Sequence, residues 1–226
     1  MVIGNGLIAN AFTSFKCEDK FILFASGVSN SNEFRLKEFD KEKKLISNTI
    51  NNYPDKTLIY FSTCAFYDKF FSESKYLKHK KDIESYITNN VQSYYIFRIP
   101  QLIGSNNEMQ LLGFINSKIK QNLKFDLFDI ERNLIDLEFL KKSVTYIVKS
   151  NLLLNQIINI SYPQNIRVKE IVEIFEIIYN KPAIYDVKQL EGSFKITNID
   201  LINQIFNELE LIKEDYYEIK LKEYYG

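Results

Sequence analysis

The chain has few of the residues that most often build metal sites and nucleophilic triads. Among its 226 residues there is one histidine, His79, and there are two cysteines, Cys17 and Cys64. With a single histidine a multi-histidine metal site is excluded, and a histidine-based catalytic triad is not expected. The cysteines form no metal-binding or disulfide pattern, so we expect reduced thiols in a cytoplasmic protein without a bound metal. For His79 we expect a position on the surface.

An excess of one charge and long apolar runs are missing as well. The 29 basic residues balance the 29 acidic ones, so net charge predicts no binding to nucleic acid or to an acidic membrane surface. No apolar run approaches the roughly 20 residues of a transmembrane helix, and no signal peptide precedes the first motif. We therefore expect no membrane insertion. Hydrophobic residues make up 46% of the chain, enough for one well-packed domain with at most a small annex.

A glycine-rich turn stands at the start of the chain, between a short apolar strand and a predicted helix. The first nine residues read Met1-Val-Ile-Gly-Asn-Gly-Leu-Ile-Ala9. Gly4 permits a tight turn, Gly6 allows the backbone to approach a pyrophosphate, and the small Ala9 lets helix and strand pack closely. The pattern indicates a dinucleotide-binding turn, although such a motif alone is weak.

Strand and helix patterns alternate as far as residue 104. Apolar runs at 21–25, 57–62 and 92–98 predict strands, and amphipathic segments at 33–52 and 74–90 predict helices. This alternation predicts an α/β fold, in which a parallel sheet carries helices on both faces. The remainder of the chain is also α/β but less regular.

Two chemically active side chains lie four residues apart on the helix that begins near Ser74. The spacing places Tyr76 and Lys80 on one helix face. A lysine beside a tyrosine favours the phenolate, which makes the tyrosine a usable acid or base near neutral pH. Thr63, at the end of the preceding strand, could hydrogen-bond the same reacting oxygen. The chain has 15 tyrosines, so a chance pair on a solvated helix face remains the alternative.

Taken together, these segments resemble the extended short-chain dehydrogenase/reductase family, the NAD(P)-dependent epimerases, dehydratases and reductases of nucleotide sugars. The resemblance follows the chain in order over nearly its whole length. Besides the glycine turn and the Tyr76–Lys80 pair with Glu84 beyond it, four segments carry it: Phe24-Ala-Ser-Gly-Val-Ser29, Ser62-Thr-Cys-Ala-Phe-Tyr67, Arg98-Ile-Pro-Gln-Leu-Ile-Gly104 and Arg132-Asn-Leu-Ile-Asp136.

The resemblance implies a shortened Rossmann-like parallel sheet with helices on both faces and a small C-terminal α/β substrate-binding lobe. We expect residues 1–104 to form the truncated dinucleotide-binding domain. Residues 105–226 would complete the sheet and form the substrate-binding lobe. By analogy with relatives, the helices at 33–52 and 74–90 predict a homodimer, the alternative being that their apolar faces pack only on the sheet.

The resemblance also implies roles for individual residues. Tyr76 would exchange a proton with a sugar hydroxyl or keto oxygen, Lys80 would assist Tyr76 and bind the nicotinamide ribose, and Thr63 would orient the substrate oxygen. The implied cofactor-binding residues are Gly4, Asn5, Gly6, Leu7, Ile8, Ala25, Ser26, Gly27, Tyr76, Lys80, Arg98 and Pro100. The implied substrate-binding residues are Thr63, Cys64, Gln101 and Arg132. Arg132 is either a diphosphate clamp or a member of a salt bridge to Asp129 or Asp136.

The chain departs from the family pattern in one respect. The first helix is predicted to end near Phe15 and the next strand to begin at about Phe21. This leaves no room for the second strand, second helix and third strand of the family. The missing second strand usually ends in the residue that distinguishes NAD from NADP. NAD(H) and NADP(H) therefore both remain open, with a slight preference for NADPH.

These departures from the family pattern reduce the number of possible reactions but leave more than one open. Family dehydratases have an Asp-Glu pair where this chain has Cys64 and Ala65, so 4,6-dehydration is not expected. We expect a ketoreductase of a nucleotide-4-keto-6-deoxy sugar, because a reductase tolerates a weakly held, exchangeable cofactor. The alternatives are a nucleotide-sugar epimerase of the same family and a non-catalytic binding or scaffold protein that has lost its cofactor.

Overall fold

The structure is a computed structural model that describes residues 1–68, 73–104, 107–189 and 195–226. Its contacts divide the chain into two compact units. Unit 1 comprises Met1–Phe66, Phe70–Ile99 and Leu137–Ile160, and unit 2 comprises Tyr67–Lys69, Pro100–Asp136 and Ser161–Gly226. The boundary expected at residue 104 divides the chain once, whereas the contacts divide it at several points.

The regular elements of the described residues follow one another in mixed order. The first half contains β1 (Val2–Ile3), α1 (Leu7–Ala11), β2 (Phe21–Phe24), α2 (Leu36–Asn52), β3 (Thr57–Thr63), α3 (Lys75–Asn90), β4 (Tyr94–Ile99) and β5 (Gln101–Leu102). The second half contains α4 (Leu111–Lys120), β6 (Phe125–Phe128), β7 (Glu131–Arg132), β8 (Leu134–Ile135), α5 (Leu137–Lys149), β9 (Gln156–Asn159), β10 (Ile166–Arg167), α6 (Val168–Tyr179), β11 (Tyr185–Lys188), α7 (Asp200–Glu208) and α8 (Tyr216–Tyr225).

Unit 1 is built on a parallel sheet with the strand order β1-β2-β3-β4-β9. Its central strands are continuous apolar runs because both of their faces are covered. On one face, Ile46 and Ile50 of α2 and Ile83 and Ile87 of α3 pack around Leu58. On the other face α1 contacts α5. The predicted parallel α/β sheet with helices on both faces is confirmed.

The strands missing from the sequence pattern are missing from the sheet. Within the described residues β1 lies at the edge and pairs only with β2, with Val2 opposite Leu23 and Ile3 opposite Phe24. The first helix is shorter than predicted, because α1 ends at Ala11 and a 3-10 helix follows from Thr13 to Cys17.

The tighter winding after α1 has a packing reason. In a 3-10 helix, side chains three residues apart lie on the same side. Phe12 and Phe15 are 0% and 1% exposed, and their ring centres are 5.8 Å apart. Phe12 also packs on Phe61 of β3, at 5.5 Å between ring centres. The turn therefore buries two large rings, and Phe12 joins it to β3.

Unit 2 also consists of strands and helices. It contains the parallel pairs β5–β8 and β6–β11, the antiparallel pair β7–β10, and helices that include α4, α6 and α8. Helix α8 holds the segment after β5 in place. The Gly104 N–H donates to the Tyr225 hydroxyl at 3.3 Å, and a Cβ on Gly104, whose φ is +96°, would lie 2.5 Å from the Tyr224 ring.

None of the described helices is both long enough and apolar enough to span a lipid bilayer.

Candidate functional site

The end of β3 and the start of α3 position the three residues expected to carry the chemistry. Strand β3 ends at Thr63, and a 3-10 helix from Cys64 to Tyr67 follows it. Helix α3 is capped by Ser74, whose hydroxyl accepts the Leu77 N–H at 3.1 Å. This cap fixes the first turns of the helix. Tyr76 and Lys80 share its buried face, with the Lys80 ammonium 5.9 Å from the centre of the Tyr76 ring.

Lys80 is bound by a carboxylate from the neighbouring helix. Its Nζ lies 3.0 Å from Glu42 Oε1, and the two side chains are 3% and 1% exposed. The Tyr60 hydroxyl accepts a second hydrogen bond from the same ammonium at 3.0 Å. The lysine of the predicted catalytic pair is therefore one half of a buried ion pair, in which each charge compensates for the lost hydration of the other.

The Glu42 carboxylate has four hydrogen-bonding contacts. Besides Lys80, the Tyr60 hydroxyl donates to Oε1 at 2.7 Å, the Val28 N–H donates to Oε2 at 2.8 Å, and His79 Nε2 lies 2.8 Å from Oε2. Burial alone would raise the pKa of Glu42, but the Lys80 charge and the hydrogen bonds outweigh it and lower the pKa to about 2. Burial, together with the Glu42 charge, raises the pKa of Tyr60 well above its usual range. Tyr60 therefore stays protonated and can donate.

His79 was expected on the surface, and this expectation is wrong, because the residue is 3% exposed. Its ring stacks on Phe39 of α2 at 4.6 Å between ring centres. An ionised carboxylate can only accept, so the hydrogen between His79 and Glu42 belongs to Nε2. Within the described part of the chain, Nδ1 has no hydrogen-bond partner. The local sequence, in which lysines flank the histidine, gave no sign of the packing against α2.

Gly27 closes over the ion pair. A Cβ built on this residue would lie 2.7 Å from both Glu42 Oε1 and Lys80 Nζ. No side chain fits there unless the pair moves. The segment Ala25–Gly27, predicted to bind cofactor, thus lies directly against the Glu42–Lys80 pair, and the glycine is required by packing alone.

Tyr76 lies in an apolar setting near the end of β3. It forms a buried cluster with Phe39 and Leu77, and Val28, Ala65 and Phe66 pack against that cluster. The Thr63 hydroxyl oxygen accepts the Ala65 N–H at 3.0 Å, and this hydroxyl donates to no acceptor among the described residues. Its hydrogen can therefore be offered to a ligand oxygen.

Arg98 and Cys64, predicted to contact cofactor and substrate, have partners within unit 1. Arg98 donates to both carboxylate oxygens of Glu84, at 2.9 and 2.6 Å, and Ser62 donates to the same carboxylate at 2.5 Å. These bonds tie β3 and β4 to α3. The Cys64 thiol is buried and contacts the Arg98 carbonyl oxygen at 3.3 Å. Burial raises the pKa of Cys64, which makes it a poor nucleophile.

The two glycine positions of the first turn differ in whether the fold requires glycine there. Gly4 has a φ of +124°, and a Cβ there would lie 2.4 Å from the Ala25 carbonyl oxygen, so glycine is needed for the approach of β1 to β2. Gly6 is extended and precedes α1, and a Cβ on it would meet nothing within 4 Å. Asn5 and Leu7 are exposed and Ile8 is half-buried. No packing within the chain explains Gly6, and its open side is compatible with a ligand.

The remaining predicted residues, Pro100, Gln101 and Arg132, belong to unit 2. Gln101 pairs with Leu134 in the β5–β8 ladder. Arg132 Nη2 lies 3.2 Å from Asp68 Oδ2, so the salt-bridge partner described for it is Asp68 rather than Asp129 or Asp136. Burial lowers the pKa of Arg132, and Asp68 acts in the opposite direction.

The partners of the two aspartates explain this difference. Asp129 pairs with Arg167 at 2.7 Å, and Asp136 pairs with Lys220 at 3.0 Å. Both carboxylates named in the sequence prediction are therefore held by other cations. Within the described residues no group of three or more His, Cys, Asp and Glu side chains could hold a metal ion.

Glu42 and Tyr60 were not singled out from the sequence. One signal could have found Glu42, because it stands on the apolar stripe of α2, three residues after Phe39 and four before Ile46. A carboxylate on a buried helix face needs a partner. Lys80, on the buried face of α3, is such a partner.

No protein-family model matches the sequence, and no curated protein matches it. Solved structures with a similar fold exist. The dTDP-glucose 4,6-dehydratase of Bacillus anthracis, in complex with NAD, has a TM-score of 0.70 and 15% identity, covering 98% of this chain and 77% of that one. RMD of Pseudomonas aeruginosa, complexed with NADPH, has a TM-score of 0.71 and 11% identity, covering 91% and 80%.

A third similar structure is the UDP-glucuronic acid 4-epimerase of Bacillus cereus, in complex with UDP-glucuronic acid and NAD. Its TM-score is 0.69 at 12% identity, covering 91% of this chain and 74% of that one. At these identities the likeness shows the fold, and the resemblance found in the sequence is confirmed at that level.

Proposed function

We propose that this chain is an NAD(P)-dependent oxidoreductase of a nucleotide-linked sugar, with Tyr76 as its acid/base. The observation that carries the proposal is the Tyr76–Lys80 geometry, in which an oriented ammonium lies 5.9 Å from the phenol ring, close behind the end of β3. The same fold holds NAD or NADPH in the similar structures.

Residues of unit 1 are proposed to hold the pyrophosphate and the nicotinamide half of such a cofactor. The turn at Gly6 is open on the side where a Cβ would stand. An ammonium has three N–H donors, and the Lys80 hydrogen bonds to Glu42 and Tyr60 account for two. Lys80 can thus offer its third donor to a ribose hydroxyl. When bound, the nicotinamide would supply or accept the hydride.

The roles of the chain's own residues follow from their surroundings. Tyr76 is 5% exposed within its apolar cluster, so its phenolic proton is shielded from bulk water and available to a bound oxygen. Thr63 can donate its hydroxyl hydrogen to the same oxygen. Arg132 and Gln101 are proposed to bind the nucleotide-linked substrate.

Within this class we favour a ketoreductase of a nucleotide-4-keto-6-deoxy sugar. The edge position of β1 leaves the adenosine half of the cofactor without the strands that enclose it in the fold family. A loosely held cofactor suits a reductase, which takes a fresh reduced cofactor in each turnover. Cys64 and Ala65 stand where family dehydratases have an Asp-Glu pair, so the acid and base for water elimination are missing at these two positions. We expect a slight preference for NADPH.

A second candidate function is a non-catalytic binding protein. The observation that favours it is the Glu42–Lys80 pair, which is buried and closed over by Gly27. In that case the pair would be a structural element, and the missing adenosine strands would reflect a lost cofactor site.

The deciding experiment is titration of the folded protein with NADH and NADPH separately, followed by calorimetry or nicotinamide fluorescence. Saturable binding of either supports the oxidoreductase, and no binding in a sample with a cooperative unfolding transition supports the binding protein. With a nucleotide sugar, a reductase consumes one reduced cofactor per product. No net consumption during turnover would instead identify an epimerase.

We also propose a homodimer formed through α2 and α3. The segment that leads into α2 and the helix itself expose Phe34, Leu36 and Leu45, at 70%, 66% and 39%. Covering such side chains is favourable. Light scattering at micromolar concentration should give twice the chain mass, and a monomeric mass would contradict the proposal.

A further inference from the structure

Glu42 connects three segments of the candidate site: β3, α3 and the loop that follows β2. It stands on α2, yet its carboxylate binds Lys80 and His79 of α3, Tyr60 of β3 and the backbone N–H of Val28. Val28 directly follows the Ala25–Gly27 segment that covers the ion pair. A substitution of Glu42 would therefore change the position of the Lys80 ammonium and of the Ala25–Gly27 segment.

We propose that Glu42 is a positioning residue that acts through Lys80, fixing the ammonium beside Tyr76 and compensating its charge. This inference rests on the proposed function. Lys80 then acts as an oriented hydrogen-bond donor whose positive charge is compensated by the Glu42 carboxylate. The motif Tyr76-x-x-x-Lys80 thus needs a third member from a distant part of the sequence.

The charges of the cluster support this assignment. Lys80 faces one carboxylate, Glu42, and two phenol rings, with its Nζ 5.2 Å from the Tyr60 ring centre and 5.9 Å from that of Tyr76. Without Glu42 the ammonium would be a buried and uncompensated charge. Such a group either loses its proton or moves towards water, and both changes remove the donor from its place.

The chain contains its own reporter for this cluster. His79 is the one histidine in the sequence, and its Nε2 lies 2.8 Å from Glu42 Oε2. In protein labelled with [15N]histidine, every imidazole signal therefore comes from this residue. A change at Lys80 that is transmitted through the carboxylate should shift that signal.

The test compares Glu42→Gln with Glu38→Gln. Glu38 lies one turn earlier on α2 and pairs with Lys41 at 2.9 Å, so its substitution is a matched control away from Lys80. We expect Glu42→Gln to weaken NADH or NADPH binding by about tenfold or more and to lower kcat further, with little change in the KM of the sugar. Glu38→Gln should match the wild type. Wild-type cofactor affinity and kcat in Glu42→Gln would overturn the inference.

A second measurement separates this inference from the proposed function. If Glu42→Gln folds poorly, its Lys80→Met arm is read alone, and unchanged His79 15N signals in that variant would overturn the inference. Lys80→Met is made alone and together with Glu42→Gln, which removes both charges of the pair. The His79 15N signals should shift with Lys80→Met when Glu42 is present and should not shift between Glu42→Gln and the double variant. Equal shifts in both backgrounds overturn the inference. If the wild type binds neither cofactor, the proposed function fails, and these signals still decide whether Glu42 positions Lys80.

Discussion

Lys80 Nζ and Glu42 Oε1 are 3.0 Å apart, and neither side chain is more than 3% exposed. The two residues are 38 positions apart in the chain. Breaking a buried pair by removing one partner usually costs about 3–5 kcal/mol, because the other charge is left uncompensated. The pair therefore lies at the centre of the candidate site, and removal of either partner should lower the unfolding free energy.

The Glu42 carboxylate should give the protein a distinctive loss of stability in acid. Its folded-state pKa of about 2 lies below the usual 4.5, so the unfolded chain binds the proton more readily. The stabilisation is complete above about pH 4.5 and is lost as the pH falls through about 2, by on the order of 3 kcal/mol.

Urea unfolding between pH 6 and pH 2 measures this effect. The difference in unfolding free energy between the wild type and Glu42→Gln should shrink as the pH falls, whereas the difference from Glu38→Gln should stay small throughout. A constant difference for Glu42→Gln would show that another group causes the acid loss.

Replacement of Tyr76 by phenylalanine should separate catalysis from binding. The ring stays in its apolar cluster with Phe39 and Leu77, so the fold and cofactor affinity should persist, while turnover falls by about 100-fold or more with the loss of the proton donor. Tyr86→Phe is the control on the same helix, because its hydroxyl binds only Ser47 among the described residues. Full activity in Tyr76→Phe would rule out its role as acid/base.

The two glycines of the first turn should respond differently to alanine. Gly4→Ala places a Cβ 2.4 Å from the Ala25 carbonyl oxygen at a φ of +124°, so we expect a loss of more than about 1 kcal/mol in unfolding free energy. Gly6→Ala meets no atom and should cost about 1 kcal/mol or less as a change of helix cap. Its effect should appear in weaker dinucleotide binding, measured by calorimetry. Unchanged affinity would remove Gly6 from the cofactor site.

Arg132 should affect substrate affinity more than turnover. It is held by Asp68 at 3.2 Å and is only partly exposed. If it binds the nucleotide diphosphate, Arg132→Ala should raise the KM for the nucleotide sugar by about tenfold, with kcat nearly unchanged. Arg167→Ala, which breaks the exposed pair with Asp129, is the matched control. Equal effects of both variants would indicate a general loss of positive charge.

The elements of unit 1 could be predicted because their signals are local. The period of apolar residues gives α2 and α3, Ser74 marks the start of α3, and the short distance from Phe15 to Phe21 excludes further strands. Each of these signals lies within a few residues of the feature it predicts, so no knowledge of the packing is required.

The partners of the charged residues could not be predicted, because they depend on tertiary packing. Glu42 reaches Lys80 and His79 only when α2 and α3 lie side by side on the sheet. Arg132 meets Asp68 across 64 positions of sequence, and not the nearby Asp129 or Asp136. The sequence therefore predicted the residues of the candidate site but not the ion pairs that hold them.

The alternation of the chain between its two units limits how the protein can be divided. A fragment that ends at residue 104 would contain β1 to β4 but lack α5 and β9, which belong to the same unit. Strand β4 would then have an open edge, and the sheet face under α5 would be exposed to water. During synthesis, this sheet can be completed only after the chain has left the ribosome as far as residue 160, because β9 is its last strand. Expression of the unit by itself would therefore require a new linker that joins Ile99 to Leu137.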